Sequence, residues 1–160
     1  METNQILLTE TNFSRLKDNI KKVKLEGKPT VIYSSEDDEM NRKVIEKLSI
    51  DTLLINQKDR KDFQKQRNSG FNQVIAKAMK KKDICLGINF DELVEETNLI
   101  KKAEILARIK QNISLCNKEH IKMQFITQKD KNNRNTYDLK SLGVILGMPT
   151  WMTYNLSKEF

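Results

Sequence analysis

Residues 84–116 read ICLGINFDELVEETNLIKKAEILARIKQNISLC, and this stretch contains the unit from which the chain is built. Ile84 to Ile88 is a short apolar run, which predicts a buried strand. Beyond an acidic segment, apolar residues recur at helical spacing and predict one buried stripe, formed by Leu99, Ala103, Leu106, Ile109, Ile113 and Cys116. The other face of this predicted helix carries Lys101, Arg108, Lys110 and Lys118. The stretch therefore predicts a strand followed by a long amphipathic helix with a charged outer face.

Four similar strand–helix units surround this one. Short apolar runs at 6–8, 30–34, 52–55 and 123–127 are each followed by a helical pattern. The third helix is predicted to bury Phe71, Val74, Ile75, Ala78 and Met79. The last helix is predicted to bury Leu139, Leu142, Ile145 and Leu146. Alternating helices and apolar strands indicate an α/β fold with a parallel sheet. The pattern fits an open doubly wound sheet or part of a barrel, because a complete barrel takes about 250 residues.

The bulk composition predicts one domain, residues 1–160, with a polyanionic partner. Lysine and arginine number 29 against 22 acids, a net charge of +7, which is typical of proteins that bind nucleic acid. Cys85 and Cys116 lie far apart in apolar runs, so they are interpreted as small core residues in a reducing compartment. The chain shows no signal peptide and no spanning run, which predicts a soluble intracellular protein.

Two predicted loops are rich in basic residues. The loop after the third strand contains Lys58, Arg60, Lys61, Lys65 and Arg67. The loop after the fifth strand contains Lys129, Lys131 and Arg134. Both loops follow the carboxyl ends of parallel strands, so we expect them on the same face of the sheet, where they could neutralise phosphates.

Catalytic arrangements are hard to assemble from the remaining residues. The single histidine, His120, is predicted at a helix end on the opposite side of the sheet, and Ser69 therefore lacks a base. Acidic residues lie where helix N-termini favour negative charge, namely Asp37, Asp38, Asp91 and Glu92. No zinc motif and no phosphate-binding glycine motif occurs. The sequence predicts no catalytic residue, no metal site and no cofactor.

Residues 67–77, RNSGFNQVIAK, resemble the RDSGLNxVxAK segment of the thirty-kilodalton protein subunit of archaeal and eukaryotic ribonuclease P. Residues 85–93 (CLGINFDEL), 107–116 (ARIKQNISLC), 120–128 and 134–148 resemble later segments of that family in the same order. The clear match covers residues 50–149, whereas residues 1–49 match only in their strand–helix rhythm. The resemblance implies a TIM-barrel-like fold, similar to that of PHP phosphoesterases, that is truncated or incompletely closed.

The resemblance also implies a function. Members of the family lack the metal-binding residues of the phosphoesterases, so it implies a non-catalytic subunit of a tRNA-processing ribonucleoprotein. The RNA subunit, which requires magnesium, removes the 5′ leader of precursor tRNA. The protein would bind that RNA together with a small RRM-like protein subunit and would contact precursor tRNA only indirectly. We expect the cytoplasm as its location in an archaeon and the nucleolus in a eukaryote.

The resembling motifs and the basic loops together give a set of predicted RNA-binding residues. These are Arg60, Lys61, Arg67, Ser69, Asn72, Lys77, Arg108, Gln111, Asn112, Lys131 and Arg134. Asn68 replaces the aspartate of the family motif, and Gln73 replaces a common histidine. If that aspartate braces an arginine, Asn68 weakens the brace. Alternatives are a stand-alone phosphoesterase and a general RNA-binding scaffold. We expect alanine at Arg67, Arg108 or Arg134 to leave the fold intact, and alanine at Leu106 to unfold it.

Overall fold

The computed structural model describes residues 4–156, in which strands and helices alternate. The strands are β1 (Gln5–Leu8), β2 (Thr30–Tyr33), β3 (Thr52–Leu54), β4 (Cys85–Asn89) and β5 (Met123–Ile126). The helices are α1 (Phe13–Leu25), α2 (Asp38–Lys47), α3 (Gln73–Lys81), α4 (Phe90–Glu95), α5 (Leu99–Glu119), α6 (Thr136–Leu146) and α7 (Thr150–Asn155). A short 3₁₀ turn covers Asp130–Asn132. The predicted domain limits at residues 1 and 160 lie outside the described residues.

Side-chain caps explain where several helices begin. Asn12, Asn72 and Asn98 each accept hydrogen bonds from two backbone N–H groups of the following turn. Asp37 does the same at the start of α2. These bonds satisfy donors that the first helical turn leaves unpaired. The loops on the carboxyl side of the sheet therefore end at fixed positions.

The order of the strands decides between the two architectures that the sequence left open. The sheet runs β1-β2-β3-β4-β5, and all neighbouring strands are parallel. A doubly wound sheet reverses its strand order at one point, whereas a barrel adds each strand beside the previous one. The sequential order is that of a barrel. Within residues 4–156, β1 and β5 are edge strands, so the arc is open, as predicted.

The two faces of the sheet are packed differently. The main core lies between the sheet and the helices, and it contains buried residues from α1 to α7. The other face holds a small cluster of Ile32, Leu54 and Ile126, with Leu7 packed against it. All helices therefore cover one face, as they do on the outside of a barrel.

Three predicted helix faces are partly wrong. Leu99 is 81% exposed and Leu106 is only partly buried, while the buried stripe of α5 runs through Ile105, Arg108, Ile109, Asn112, Ile113 and Cys116. Val74 and Ile145, predicted to be buried, are 60% and 76% exposed. Hydropathy placed Arg108 outside because it cannot count the partners that a distant loop supplies to this guanidinium. The described helices include none long and apolar enough to span a bilayer.

Both cysteines are buried and unpaired, which confirms their interpretation as core residues. Burial raises the pKa of the Cys85 thiol to about 12. It raises the pKa of Cys116 as well. A thiol with a raised pKa holds little thiolate at neutral pH and is therefore unreactive.

Replacing Ile109, which is 2% exposed, with alanine should lower the free energy of unfolding by about 2–5 kcal/mol, because it empties a packed core position. The matched control is Ile100→Ala in the same helix, where the side chain is 74% exposed and the expected change is within about 0.5 kcal/mol. Urea denaturation of both variants measures the difference. Equal losses would contradict the packing of α5.

Candidate nucleic-acid interface

The two basic loops lie on the same edge of the sheet, as predicted. Residues 55–72 follow β3 and residues 127–135 follow β5, and the carboxyl ends of these parallel strands point the same way. Most of their cations are paired with acids. Lys58 lies 3.6 Å from Glu96, and both Lys129 and Lys131 contact Glu95. The loops therefore carry less free positive charge than their sequence suggests.

The loop after β5 is attached to α4 by its acids. Asn132 is buried and donates to Asp91 at 2.7 Å and to Glu95 at 3.3 Å. Hydrogen bonds from Lys129 and Lys131 lower the pKa of Glu95 to about 2. Arg134 differs, because its guanidinium donates only to nearby backbone carbonyls. Its charge stays available to a ligand.

The loop after β3 is held from below by Arg108 of α5. The Arg108 side chain is 2% exposed. Its Nη1 donates to the Gln57 carbonyl at 3.1 Å, and its Nη2 donates to the Arg60 carbonyl at 2.8 Å. Its Nε donates to the Asp62 carboxylate at 2.9 Å. The prediction that Arg108 lies on an exposed helix face is wrong, since a guanidinium with these partners can be buried.

Asp62 connects this anchor to the turn at Asn68 and Gly70 that follows. One carboxylate oxygen accepts from Arg108 and from the backbone N–H of Asn68, and the other accepts from Arg67 at 3.4 Å. The hydrogen bond from Arg108 lowers the pKa of Asp62. Asn68 itself accepts from the N–H of Gly70, which closes a local turn. Asp62 therefore braces the arginines, and the amide at Asn68 does not remove the brace.

A second ion pair fixes the loop against α2. Arg60 donates to both carboxylate oxygens of Asp38, at 2.8 and 3.1 Å, and to the carbonyl of Asn56 at 2.7 Å. Gly70 passes directly over this pair with φ +70°, and a Cβ there would lie 2.6 Å from the Arg60 guanidinium. Only glycine fits, because both the backbone angle and the close approach exclude a side chain.

A surface groove of about 460 Å³ lies between this loop, α2, α3 and α5. Four of the predicted RNA-binding residues line it, namely Arg67, Ser69, Asn72 and Gln111. Gln111 donates to the carbonyl of Arg67 at 3.3 Å, which joins the two resembling motifs. Phe63 also lines the groove and is 58% exposed. A cation, amide donors and an exposed ring are the groups that hold phosphates and unstacked bases.

The other predicted residues lie elsewhere. Arg60, Arg108 and Asn112 support the groove from behind, and Asn112 is 4% exposed. Lys61, Lys77, Lys131 and Arg134 are exposed and do not line it. Ser69 lines the groove but is 1% exposed, and its hydroxyl bonds only to Phe71. Asp62 and Asp38 were not predicted as site residues, because the arginines that they hold in place, Arg108 and Arg60, lie far from them in the sequence.

Groups for acid–base or metal chemistry are dispersed. His120 caps the C-terminus of α5 with φ 55°, at the opposite end of the sheet, and its ring lies 5.7 Å from that of Trp151. Within residues 4–156, no three His, Cys, Asp or Glu side chains are arranged to hold a metal ion.

No protein-family model and no curated protein sequence matches the chain. Its fold is similar to that of a chain in the cryo-EM structure of archaeal ribonuclease P with mature tRNA. The similarity has a TM-score of 0.75 and 20% sequence identity, and it covers 92% of this chain. The chain spans 62% of the length of that neighbour. At this identity the likeness concerns the fold.

Arg108→Ala should lower the free energy of unfolding by about 2–4 kcal/mol, because it leaves two loop carbonyls and Asp62 without their buried partner. The matched control is Arg134→Ala, whose guanidinium bonds only to adjacent carbonyls and which should melt like the unaltered chain. Thermal melting and trypsin digestion within residues 58–67 measure both effects. Identical melting temperatures would contradict the buried anchor.

The carboxylate of Asp62 should contribute stability only while it is ionised. Its pKa is lowered from the ordinary 3.8 by Arg108, so the contribution is complete above that value and is lost as the pH falls through the lower folded pKa. We expect unfolding free energies of the unaltered chain and of Asp62→Asn to differ at neutral pH and to converge below about pH 4. A constant difference down to low pH would refute the ionic brace.

Proposed function

We propose that the chain is a protein subunit of ribonuclease P that binds the RNA subunit and supports removal of 5′ leaders from precursor tRNA. The observation that carries this proposal is the fold similarity to a chain of an archaeal ribonuclease P, which extends over 92% of the present chain. The groove supports it independently, because residues of two resembling motifs, at 67–72 and at 111, meet there. Four of the eleven predicted RNA-binding residues line this groove, which supports its choice as the proposed RNA-binding surface.

The groove suits a supporting role in that complex. Arg67 can contact a phosphate, while the side-chain amides of Gln111 and Asn72 can fix the direction of approach. Phe63 offers a face for an unstacked base. The loop is held by Arg108 and Arg60, so these contacts are presented without a large ordering cost. In this proposal the RNA and its magnesium perform the cleavage, and the protein binds no cofactor.

We also propose partners and a cellular location for the chain. A small RRM-like subunit of the same enzyme is the proposed protein partner, and precursor tRNA is contacted through the RNA. The other predicted cations, Lys61, Lys77, Lys131 and Arg134, would contact RNA outside the groove. The proposed location is the cytoplasm of an archaeal cell. In a eukaryote it would be the nucleolus.

The test is cleavage of precursor tRNA by the host's ribonuclease P RNA and the RRM-like subunit in moderate magnesium, with and without this chain. Addition of the chain should stimulate cleavage of the precursor tRNA. Arg67→Ala should raise the concentration needed for half-maximal stimulation roughly tenfold, because it removes a charged hydrogen-bond donor. Arg15→Ala, an exposed arginine of α1 away from the groove, should leave that concentration unchanged.

Three other results would contradict the proposal or the role of the groove in it. A folded chain that gives no stimulation overturns the proposal and leaves a general RNA-binding scaffold. Metal-dependent hydrolysis of a phosphoester by the chain alone would instead establish the stand-alone phosphoesterase. Equal effects of Arg67→Ala and Arg15→Ala would remove the groove from the proposal.

A further inference from the structure

The positive charge of the chain is concentrated at the end of the sheet opposite the groove. The segments that lead from strands to helices are 9–12, 34–37, 55–72, 90–98 and 127–135, and they contain eight lysines and arginines against ten acids. The last turns of α1, α2, α3 and α5, with the segments that lead to the next strand, are 22–29, 44–51, 78–84 and 116–122. These contain nine lysines against five acids. We call this second region the lysine-rich end.

Three lysine contacts show that the lysine-rich end is one continuous surface. Lys24 at the end of α1 donates to Ser49 after α2, at 2.7 Å. Lys82 after α3 donates to the carbonyls of Glu46 and Leu48, at 2.7 and 3.2 Å. Lys80 of α3 donates to the carbonyl of His120 after α5, at 2.9 Å. The C-termini of the four helices are therefore joined side by side.

Compensation of the helix dipoles explains only some of these lysines. A helix C-terminus carries a partial negative charge and unpaired carbonyls, which attract cations. Lys80 and Lys82 already donate to such carbonyls. Five lysines are exposed and make no side-chain hydrogen bond or ion pair within the described residues, namely Lys22, Lys28, Lys47, Lys81 and Lys118. Lys28, Lys47, Lys81 and Lys118 come one from each of the four helix ends. Three of these four lie in a last helical turn, where their charge also favours the helix dipole, but the ammonium group of each is free to bind a ligand.

The acids of the lysine-rich end are largely engaged. Asp51 accepts from the N–H of Val31 at 2.8 Å, and Glu119 accepts from Gln73 at 3.1 Å. Glu46 pairs with Arg42, and Asp83 lies 3.5 Å from Lys122. Val31 and Gln73 are neutral donors, so Asp51 and Glu119 keep their negative charges. Nine lysines against five acids still leave an excess of four positive charges at this end, which is directed to solvent along one face.

We propose that the lysine-rich end is a second nucleic-acid surface, on which Lys28, Lys47, Lys81 and Lys118 bind the sugar-phosphate backbone of structured RNA. Several cations spread over neighbouring helix ends match the spaced phosphates of an RNA helix. The chain would then contact RNA at two opposite ends, through the groove and through this surface. RNA as the polyanion rests on the proposed function, whereas the surface itself rests on the charge distribution.

The test uses the full chain, a fluorescein-labelled RNA hairpin and fluorescence anisotropy over a range of salt concentrations. The quadruple variant Lys28→Gln, Lys47→Gln, Lys81→Gln, Lys118→Gln should bind at least about tenfold more weakly. The slope of log affinity against log salt should fall by about one unit for each phosphate-contacting lysine. Each substitution lies on the surface, and melting temperatures confirm that the variant is folded.

The matched control removes the same charge elsewhere, with Lys17→Gln, Lys102→Gln, Lys110→Gln, Lys140→Gln in α1, α5 and α6, where Lys17 and Lys110 are exposed and Lys102 and Lys140 are half-buried. It lowers the net charge equally, so it measures the general electrostatic attraction. A larger loss in the first variant supports the surface. Equal losses overturn it, because only total charge would then matter.

A second arm uses vesicles that contain phosphatidylserine, since an anionic membrane also attracts lysines. Vesicle binding that needs the four lysines, with unchanged hairpin binding, would overturn the RNA assignment. Hairpin binding requires no ribonuclease P RNA. If the chain binds the hairpin through these lysines but does not stimulate cleavage, only the proposed function is overturned. If the chain stimulates cleavage but the quadruple variant and its control bind the hairpin equally well, only this inference is overturned.

Discussion

The guanidinium of Arg108 lies under the loop between β3 and α3 and donates to two of its carbonyls and to Asp62. That loop lacks regular secondary structure over residues 55–72, so its backbone groups depend on such external partners. Asp62 passes the constraint on to Arg67 and to the turn at Asn68. The groove thus owes its shape to one charged residue of the longest helix. A buried cation is costly unless all its donors are used, which explains why so many loop groups converge on it.

Pairing between opposite charges also holds the loops at the edge of the sheet around the groove. Acids there pair with the loop cations and hold the loops in position, which leaves few cations free for a ligand. At the opposite end the lysines outnumber the acids, and the helix ends are joined through Lys24, Lys80 and Lys82. In our proposals the groove makes shaped, specific contacts and the lysine-rich end attracts phosphates in general.

The sequential parallel order of the strands explains why the groove and the lysine-rich end lie at opposite ends of the sheet. Each strand begins at one end of the sheet and finishes at the other, so the segments that follow strands lie with the groove and the C-termini of α1, α2, α3 and α5 lie with the lysines. The fold likeness to a chain of archaeal ribonuclease P covers 92% of this chain but 62% of that one. A partial arc with edges at β1 and β5 still positions both surfaces, because each is formed by adjacent units.

The sequence by itself determined the α/β class, the five strand–helix units and the edge on which both basic loops lie, since these follow from periodicity and from the geometry of parallel strands. Two of its resembling motifs, at 67–77 and 107–116, also named Arg67, Ser69, Asn72 and Gln111, which line one groove. Only the tertiary structure decided the barrel order of the strands, the burial of Arg108 and Asn112, and the exposure of Leu99 and Ile145. Periodicity registers how polar a residue is, but not which partner a distant loop brings to it. The net charge of +7 is a sum over the whole chain, so it did not predict that acids neutralise one end of the sheet and leave the other basic.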